Sequence, residues 1–348
     1  MRILAVGGTG WLGGRVVAAA LERGHPVSTL ARGRRGHPPA GVRELVADRD
    51  DADEVGRALA GVEVDAVVDT SGYSVAGARS AAAHLAGVGA YAYVSSISAY
   101  RDWPSRPVRG TDDPTFTDDS DDYGPMKAAS ERVLGEALGD RLLVARAGLI
   151  IGPGDRSGRL AWWLRRLALG GPVVVPAGSL DQPVAFVDVR DLAGWLVDSV
   201  VGGRSGAVNA TGDAGMTTYG GLLEVCRDTV GDDAREPVTW VPRDDDALLA
   251  AGVEPWTHLP FWLPAADAGA AWGVDTSSAR TSGLPSRPVE ETVRDLWAWL
   301  RADPTAPPAV PGAAASPGAP ARSAPERPAD PQRPVFGLPP AVEATLLR

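Results

Sequence analysis

Tyr123 and Lys127 stand four residues apart in "DDYGPMKAASE". On a helix that spacing puts both side chains on one face. A tyrosine phenol titrates near 10 and needs help to exchange protons at neutral pH. A neighbouring ammonium gives that help by favouring the phenolate. Of the 34 lysines and arginines in the chain, Lys127 is the one lysine. Lysine carries a compact, rotatable head with three donors, where arginine carries a broad planar fork. The residue type therefore points to a geometric need at this position, and Lys127→Arg is expected to keep the charge and lose most activity. A third partner lies upstream in "YVSSISAY". Ser96, at a predicted strand end, would donate a hydrogen bond to a carbonyl or alkoxide oxygen and stabilise charge developing there. Ser95 and Ser98 compete for that role. Together the set reads as machinery for moving a proton onto or off a substrate oxygen.

A second constellation opens the chain. "AVGGTGWLGGR" carries Gly7, Gly10 and Gly13 as G-x-x-G-x-x-G, with Thr9, Trp11 and Leu12 between and beside them. The motif follows an apolar strand and begins a helical pattern. In that setting the glycines allow a tight turn and close approach to a pyrophosphate, and the helix N-terminus supplies free N–H groups. The second strand reads "VSTLARGRR". Folds that bind NAD usually place an acid at its end for the ribose 2′-OH. Here Ala31 stands there, followed by Arg32, Arg34 and Arg35, which favours a 2′-phosphate and hence NADP over NAD. Asp48 and Arg49 close the third strand and are candidates to flank the adenine. Thr70, Ser71 and Gly72 close the fourth and are small enough to let a cofactor lie close. Lys127 is counted with them as a ribose ligand.

These residues need a scaffold that gathers strand ends. Over residues 1–152 short apolar runs alternate with helix-like stretches such as "WLGGRVVAAALERG" and "VAGARSAAAHLAG". That alternation predicts an α/β fold: a Rossmann-like, doubly wound parallel sheet covered by helices on both faces. Its ligand crevice lies at the carboxyl ends of the strands. Over residues 153–301 the texture is richer in Pro, Gly and Trp. This predicts a smaller, interleaved α/β substrate-binding lobe with segments that return to the sheet, among them the strand "GAVNAT". "TTYGGLLEVCRDTVG" reads as a helix stopped by Gly231, and "PVEETVRDLWAWLRAD" as the last helix of the folded body. Residues 302–348 form a Pro/Ala-rich tail without periodicity, expected to be disordered. Its closing "VFGLPPAVEATLLR" is expected to stay free rather than dock.

Composition narrows the partners. The formal net charge is −10, which repels phosphate backbones and anionic membrane surfaces, so neither nucleic acid nor membrane is expected. No stretch reaches the roughly 18 apolar residues of a span, and "MRILAVGG" enters its first strand too directly for a leader peptide. The single cysteine, Cys226, excludes an internal disulfide and fits a cytoplasmic setting. The acidic run "RGTDDPTFTDDSDD" has no spaced histidines, so no metal site is assigned.

The motifs together resemble the short-chain dehydrogenase/reductase superfamily in its extended or atypical branch, the NAD(P)-dependent epimerase/dehydratase-like proteins. The resemblance runs over roughly residues 1 to 300 and rests on "GGTGWLG", "SSISAY", "YGPMK", "RAGLIIGPGD" and "VAFVDVRDLA". It implies Tyr123 as acid/base, Lys127 as its electrostatic partner and ribose ligand, and Ser96, four residues before Tyr100, as oxyanion donor. It also implies a small-molecule substrate, and a helix-mediated homodimer would be ordinary for such a protein. Three departures stand out. Ile97 and Ser98 follow Ser96 where dehydratases place acids, which speaks against dehydration. The acid after the second strand is missing. "AGLI" follows the sixth strand where relatives carry bulkier residues and an Asn.

Substrate contacts are sought in the Trp-, Arg- and His-bearing segments. Asp155 in "GPGDRSG" and Trp256, His258 and Trp262 in "VEPWTHLPFWLP" are the candidates, because aromatic faces stack on rings and sugars. The favoured reading is an NADP-preferring oxidoreductase of small carbonyl or alcohol substrates. Two alternatives stand beside it: a nucleotide-sugar epimerase with tightly held NAD, and a non-catalytic nucleotide-binding regulator or RNA-associated protein.

Overall fold

The computed structural model describes residues 1–34, 36–118, 120–303 and 336–348. It divides into two compact units: 1–152 with 185–216 and 269–288, and 153–184 with 217–268 and 289–348.

The first unit is built on seven parallel strands: β1 (Ile3–Val6), β2 (Val27–Ala31), β3 (Arg43–Val46), β4 (Ala66–Asp69), β5 (Ala90–Ser96), β6 (Leu142–Ala147) and β7 (Gly206–Ala210). They lie side by side in the order β7-β6-β5-β4-β1-β2-β3. Five helices matter for the site: α1 (Trp11–Glu22), α2 (Ala52–Leu59), α3 (Val75–Leu85), α4 (Tyr123–Leu138) and α5 (Val189–Val201). Alternate strand residues face opposite sides of the sheet. Ile3 and Ala5 join a core with Val16, Val17 and Ala20 of α1 and Leu192 and Leu196 of α5. Leu4 and Val6 join another with Val55, Ala78 and Leu134 from α2, α3 and α4. The sheet is thus doubly wound, as the sequence predicts, and its central strands β1 and β4 are buried along their whole length because both faces are covered. A parallel sheet ends all its strands at one edge. The loops after β1, β2, β3, β4 and β5 therefore meet there without any pairing between them in sequence.

The second unit holds the helices Arg159–Leu169, Tyr219–Val230 and Val289–Ala302 and a parallel strand pair, Gly171–Pro176 with Val238–Arg243. Trp163 sits at its centre, fully buried, and donates from its indole nitrogen to the Pro260 carbonyl at 3.0 Å. Trp262 is equally buried and donates to Asp245 at 3.2 Å.

The predicted tail needs one correction. Its residues 304–335 lie outside the described residues, but the closing segment docks. Pro340–Leu346 forms a helix whose Glu343 accepts from Arg166 Nε at 2.8 Å, both side chains largely buried. Leu338 and Leu346 are buried, and Gly337 N donates to the Thr257 carbonyl at 2.9 Å. The end docks because Leu338 and Leu346 find cover, Pro339 and Pro340 pre-set the helix start, and Glu343 neutralises a largely buried guanidinium.

Candidate functional site

The glycine loop is held by its own backbone. Gly7 takes φ +82°. Its N–H donates to the Leu30 carbonyl at 2.8 Å, and its carbonyl accepts from Gly10 N at 2.8 Å. A Cβ on Gly13 would stand 2.1 Å from that same carbonyl oxygen. The turn thus presses α1 onto the end of β1 so closely that position 13 admits no side chain. α1 begins at Trp11 with Gly10 as its N-cap, and no side chain caps it and no acid lies in its first turn. Such an end presents N–H groups and the positive end of the helix dipole, which suits a pyrophosphate. The residues present fit a dinucleotide.

At the neighbouring strand ends, Arg32 and Arg34 are exposed, and Arg32 lies 3.9 Å from Asp48 across a solvent-accessible gap. Arg35 lies outside the described residues. Arg49 is engaged away from solvent. Its two terminal nitrogens donate to the two oxygens of Asp69 at 2.7 and 2.8 Å, and one of them donates to Ser71 Oγ at 3.1 Å. Asp69 is fully buried and also accepts from Tyr91 OH at 2.8 Å. Arg49 therefore ties the loop after β3 to the loop carrying Thr70, Ser71 and Gly72. Thr70 is fixed in turn by its N–H and hydroxyl, both donating to the Val6 carbonyl at 3.0 and 3.1 Å.

α4 starts at Tyr123, so Tyr123 and Lys127 share a helix face as the spacing predicts. Tyr123 is 48% exposed, whereas Lys127 is only 3% exposed. Lys127 Nζ donates to the Val94 carbonyl of β5 at 2.9 Å. Its ammonium also lies over three rings, 5.1 Å from the centroids of Tyr73 and Tyr93 and 5.6 Å from that of Tyr123. Burial pulls its pKa down from the usual lysine range to about 8. The Asp69 carboxylate pushes the other way, the Arg49 guanidinium adds to the lowering, and the Glu131 carboxylate opposes it. Lys127 is thus a cation held close to its titration point at neutral pH.

Ser96 ends β5 two residues beyond Val94 and is 7% exposed. Its Oγ accepts from Ser98 N at 3.1 Å and so caps the short turn Ile97–Ala99. A hydroxyl that accepts in this way keeps its own proton for donation. Ser95 donates instead to the buried Glu131. The structure therefore brings Ser96, Tyr123, Lys127 and the loops after β1, β3 and β4 to one edge of one unit.

The substrate-side candidates belong to the second unit. Asp155 is buried and accepts from Ser157 N at 2.8 Å. His258 Nδ1 accepts from Glu254 N at 3.0 Å. Trp256 holds φ +67°, a strained value for a bulky residue. Trp262 is corrected as a pocket wall: a fully buried indole bonded to Asp245 offers a ligand no face. Three neighbours of the site escape the sequence reading: Tyr73, 72% exposed beside Lys127, and the buried pair Glu131–Arg146. Glu131 alone carried a signal, since it repeats the four-residue step after Lys127.

No helix among the described residues is long and apolar enough to cross a membrane. None of their His, Cys, Asp and Glu side chains form a group suited to a metal.

Known proteins share sequence and fold with this chain. The sequence pattern of the NAD dependent epimerase/dehydratase family matches residues 3–197. The 2'-dehydrokanamycin reductase of Streptomyces kanamyceticus is 32% identical over 183 residues, which cover 50% of this chain and 51% of that protein. The chain thus spans about half the length of that relative. The 3-diazoavenalumate denitrifying reductase of a Streptomyces species is 29% identical over 240 residues, or 61% of this chain and 76% of the relative. Among solved structures, the Bordetella bronchiseptica enzyme WbmH in complex with NAD+ superposes with a TM-score of 0.64 at 19% identity, covering 86% of this chain and 98% of that one. At that identity the likeness concerns the fold alone.

Proposed function

The chain belongs to the NAD-dependent epimerase/dehydratase family, and from that premise we propose that it is an NADP-preferring oxidoreductase of a small carbonyl or alcohol substrate. The observation that carries the reading is Lys127, a buried ammonium placed between the Val94 carbonyl and the ring of the half-exposed Tyr123. A nicotinamide cofactor supplies the hydride donor or acceptor when bound. The rest is the work of this chain's residues. Tyr123 holds and moves the proton at its phenol oxygen. Lys127 stabilises the phenolate and offers its remaining donors to a ribose. Ser96 donates a hydrogen bond from its hydroxyl to the substrate oxygen and keeps its proton. The backbone N–H groups at the start of α1 would take the pyrophosphate. Two matched relatives are reductases by name, and the Ile97–Ser98 sequence supplies no second acid for dehydration. Substrate recognition is assigned to the second unit, where the strained turn at Trp256 is the leading candidate.

The test is turnover of NADPH against a panel of carbonyl compounds, including keto sugars. Wild type should oxidise NADPH with at least one of them, and Tyr123→Phe should lose roughly 10²-fold or more of kcat, the usual worth of a positioned acid/base. Full activity in Tyr123→Phe would remove the assignment. Protein that purifies with NAD it does not release would redirect the reading to epimerisation.

Cofactor choice is tested separately. Ala31 leaves the 2′ position without an acid, and Arg32 is tied to Asp48 only at 3.9 Å across the surface, a weak tether. NADPH should bind more tightly than NADH. Arg32→Ala should weaken NADPH by about tenfold, the scale of one charge-assisted contact, and leave NADH within about twofold. Tighter NADH binding by wild type would reverse the preference.

A further inference from the structure

Glu131 takes no direct part in the proposed chemistry, yet both its carboxylate oxygens are engaged beneath it. It follows Tyr123 and Lys127 on α4 at the same four-residue step and is buried. One oxygen accepts from Ser95 Oγ. Arg146 of β6 donates to both oxygens from Nε at 3.2 Å and to Oε2 from Nη2 at 2.8 Å. Arg146 Nη1 continues to Tyr100 OH at 2.9 Å and to the Thr111 carbonyl at 2.8 Å. Tyr100 OH donates to Asn209 Oδ1 on β7 at 2.7 Å. The end of β5 is therefore fastened to α4 at two successive residues, Val94 through Lys127 and Ser95 through Glu131. The next residue is Ser96.

A buried ion pair is a poor way to gain stability, because desolvation consumes most of the attraction. It is a good way to fix one geometry, since every lone pair and proton demands its partner. We infer that Ser95, Glu131 and Arg146 form a positioning clamp that sets the gap between the Ser96 hydroxyl and the Tyr123 phenol. Both groups have to reach one substrate oxygen, and among the described residues the Ser96 hydroxyl is held by Ser98 N rather than by α4. Ser95 and Ser96 point to opposite faces of the strand. Holding Ser95 from beneath thus orients Ser96 above without blocking it.

The inference rests on the oxidoreductase reading, and one experiment separates the two. Full-length wild type, Ser95→Ala, Glu131→Gln and the double variant are assayed with NADPH and the carbonyl compound that wild type turns over. NADPH affinity is measured alongside by titration without substrate. Ser95→Ala removes one hydroxyl and leaves the Glu131–Arg146 pair whole, so it should fold. Its kcat should fall about tenfold, within the 10²-fold that a 1 Å misplacement can cost. The substrate KM and the NADPH dissociation constant should stay within about twofold. Glu131→Gln should fall further. The double variant should be no worse than Glu131→Gln alone, because both act through one contact. Unchanged kcat in Ser95→Ala overturns the clamp, and so do losses that multiply in the double variant. If Glu131→Gln does not fold, the split between kcat and NADPH affinity in Ser95→Ala decides alone. Wild type that turns over no carbonyl compound sinks the oxidoreductase reading and the clamp with it.

Discussion

Lys127→Met should melt higher than the parent at pH 7 and turn substrate over roughly 10²- to 10⁴-fold more slowly. Both effects come from the same burial. In the folded protein Lys127 titrates at about 8, well below its value of 10.5 when solvated. The unfolded chain therefore holds this proton more firmly than the native state. The penalty on the native state is full below about pH 8, shrinks as pH rises, and is gone above about 10.5. At neutral pH it is on the order of 3 kcal/mol. The three aromatic faces offset part of it, and methionine forfeits the bond to Val94, worth about 1 kcal/mol. A net gain of a few degrees in melting temperature is expected at pH 7, vanishing by about pH 11. The activity of wild type runs the opposite way. The ammonium has to be charged to hold the Tyr123 phenolate, so kcat/KM should fall as pH rises through about 8. Melting curves across pH, paired with kcat/KM profiles, check both halves. Lys127→Arg should also lose activity, but a guanidinium in a site that is 3% exposed should overpack it by about 1–3 kcal/mol. The methionine variant separates charge from bulk more cleanly. A Lys127→Met protein as active as its parent would end the reading of Lys127 as a functional cation.

The parts legible in the sequence share one property: they are local. Gly7, Gly10 and Gly13 announce a turn because the strand before and the helix after them are written in the adjacent residues. Tyr123 and Lys127 share a helix face by spacing alone. The sheet is legible because each short apolar run alternates with an amphipathic one. What was not legible depends on register between distant strands. Arg49 reads locally as a residue to flank an adenine, and its tie to Asp69, twenty residues on, becomes visible only through the parallel strands. Tyr73 gains meaning only when the loop after β4 and helix α4 meet at one edge. Arg146 reads as an ordinary strand arginine until β6 lies beside β5 and brings it to Glu131. Residue type alone cannot tell an indole in a pocket wall from one in a core, and Trp262 is of the second kind. The docked end of the chain shows the limit from the other side. Its anchorage joins the burial of Leu338 and Leu346 to an ion pair between Glu343 and Arg166, 177 positions earlier, and nothing local in "VFGLPPAVEATLLR" announces that partner.

Gly13→Ala should abolish measurable cofactor binding, a loss of about 100-fold or more, while Gly14→Ala, one residue on, should bind as the parent does. A Cβ on Gly13 would meet Gly7 O at 2.1 Å, Gly7 C at 2.7 Å and Gly8 Cα at 2.9 Å. All three are backbone atoms, so no side chain can turn away. The Gly7 carbonyl is itself held by Gly10 N at 2.8 Å. The methyl group therefore has to push α1 off the end of β1, at a cost of about 1–3 kcal/mol in stability. It also displaces the N–H groups that a pyrophosphate would need at hydrogen-bond range. Gly14 is a different case. Its added Cβ would have no contact closer than Gly8 O at 3.9 Å, and alanine outranks glycine within a helix by up to about 1 kcal/mol. Gly14→Ala should thus melt at or slightly above the parent temperature. NADPH titration and thermal melts on the three proteins read both effects. Undiminished NADPH binding by a folded Gly13→Ala protein would place the cofactor away from this loop, and the Tyr123–Lys127 face would lose the neighbour that gives its chemistry a hydride.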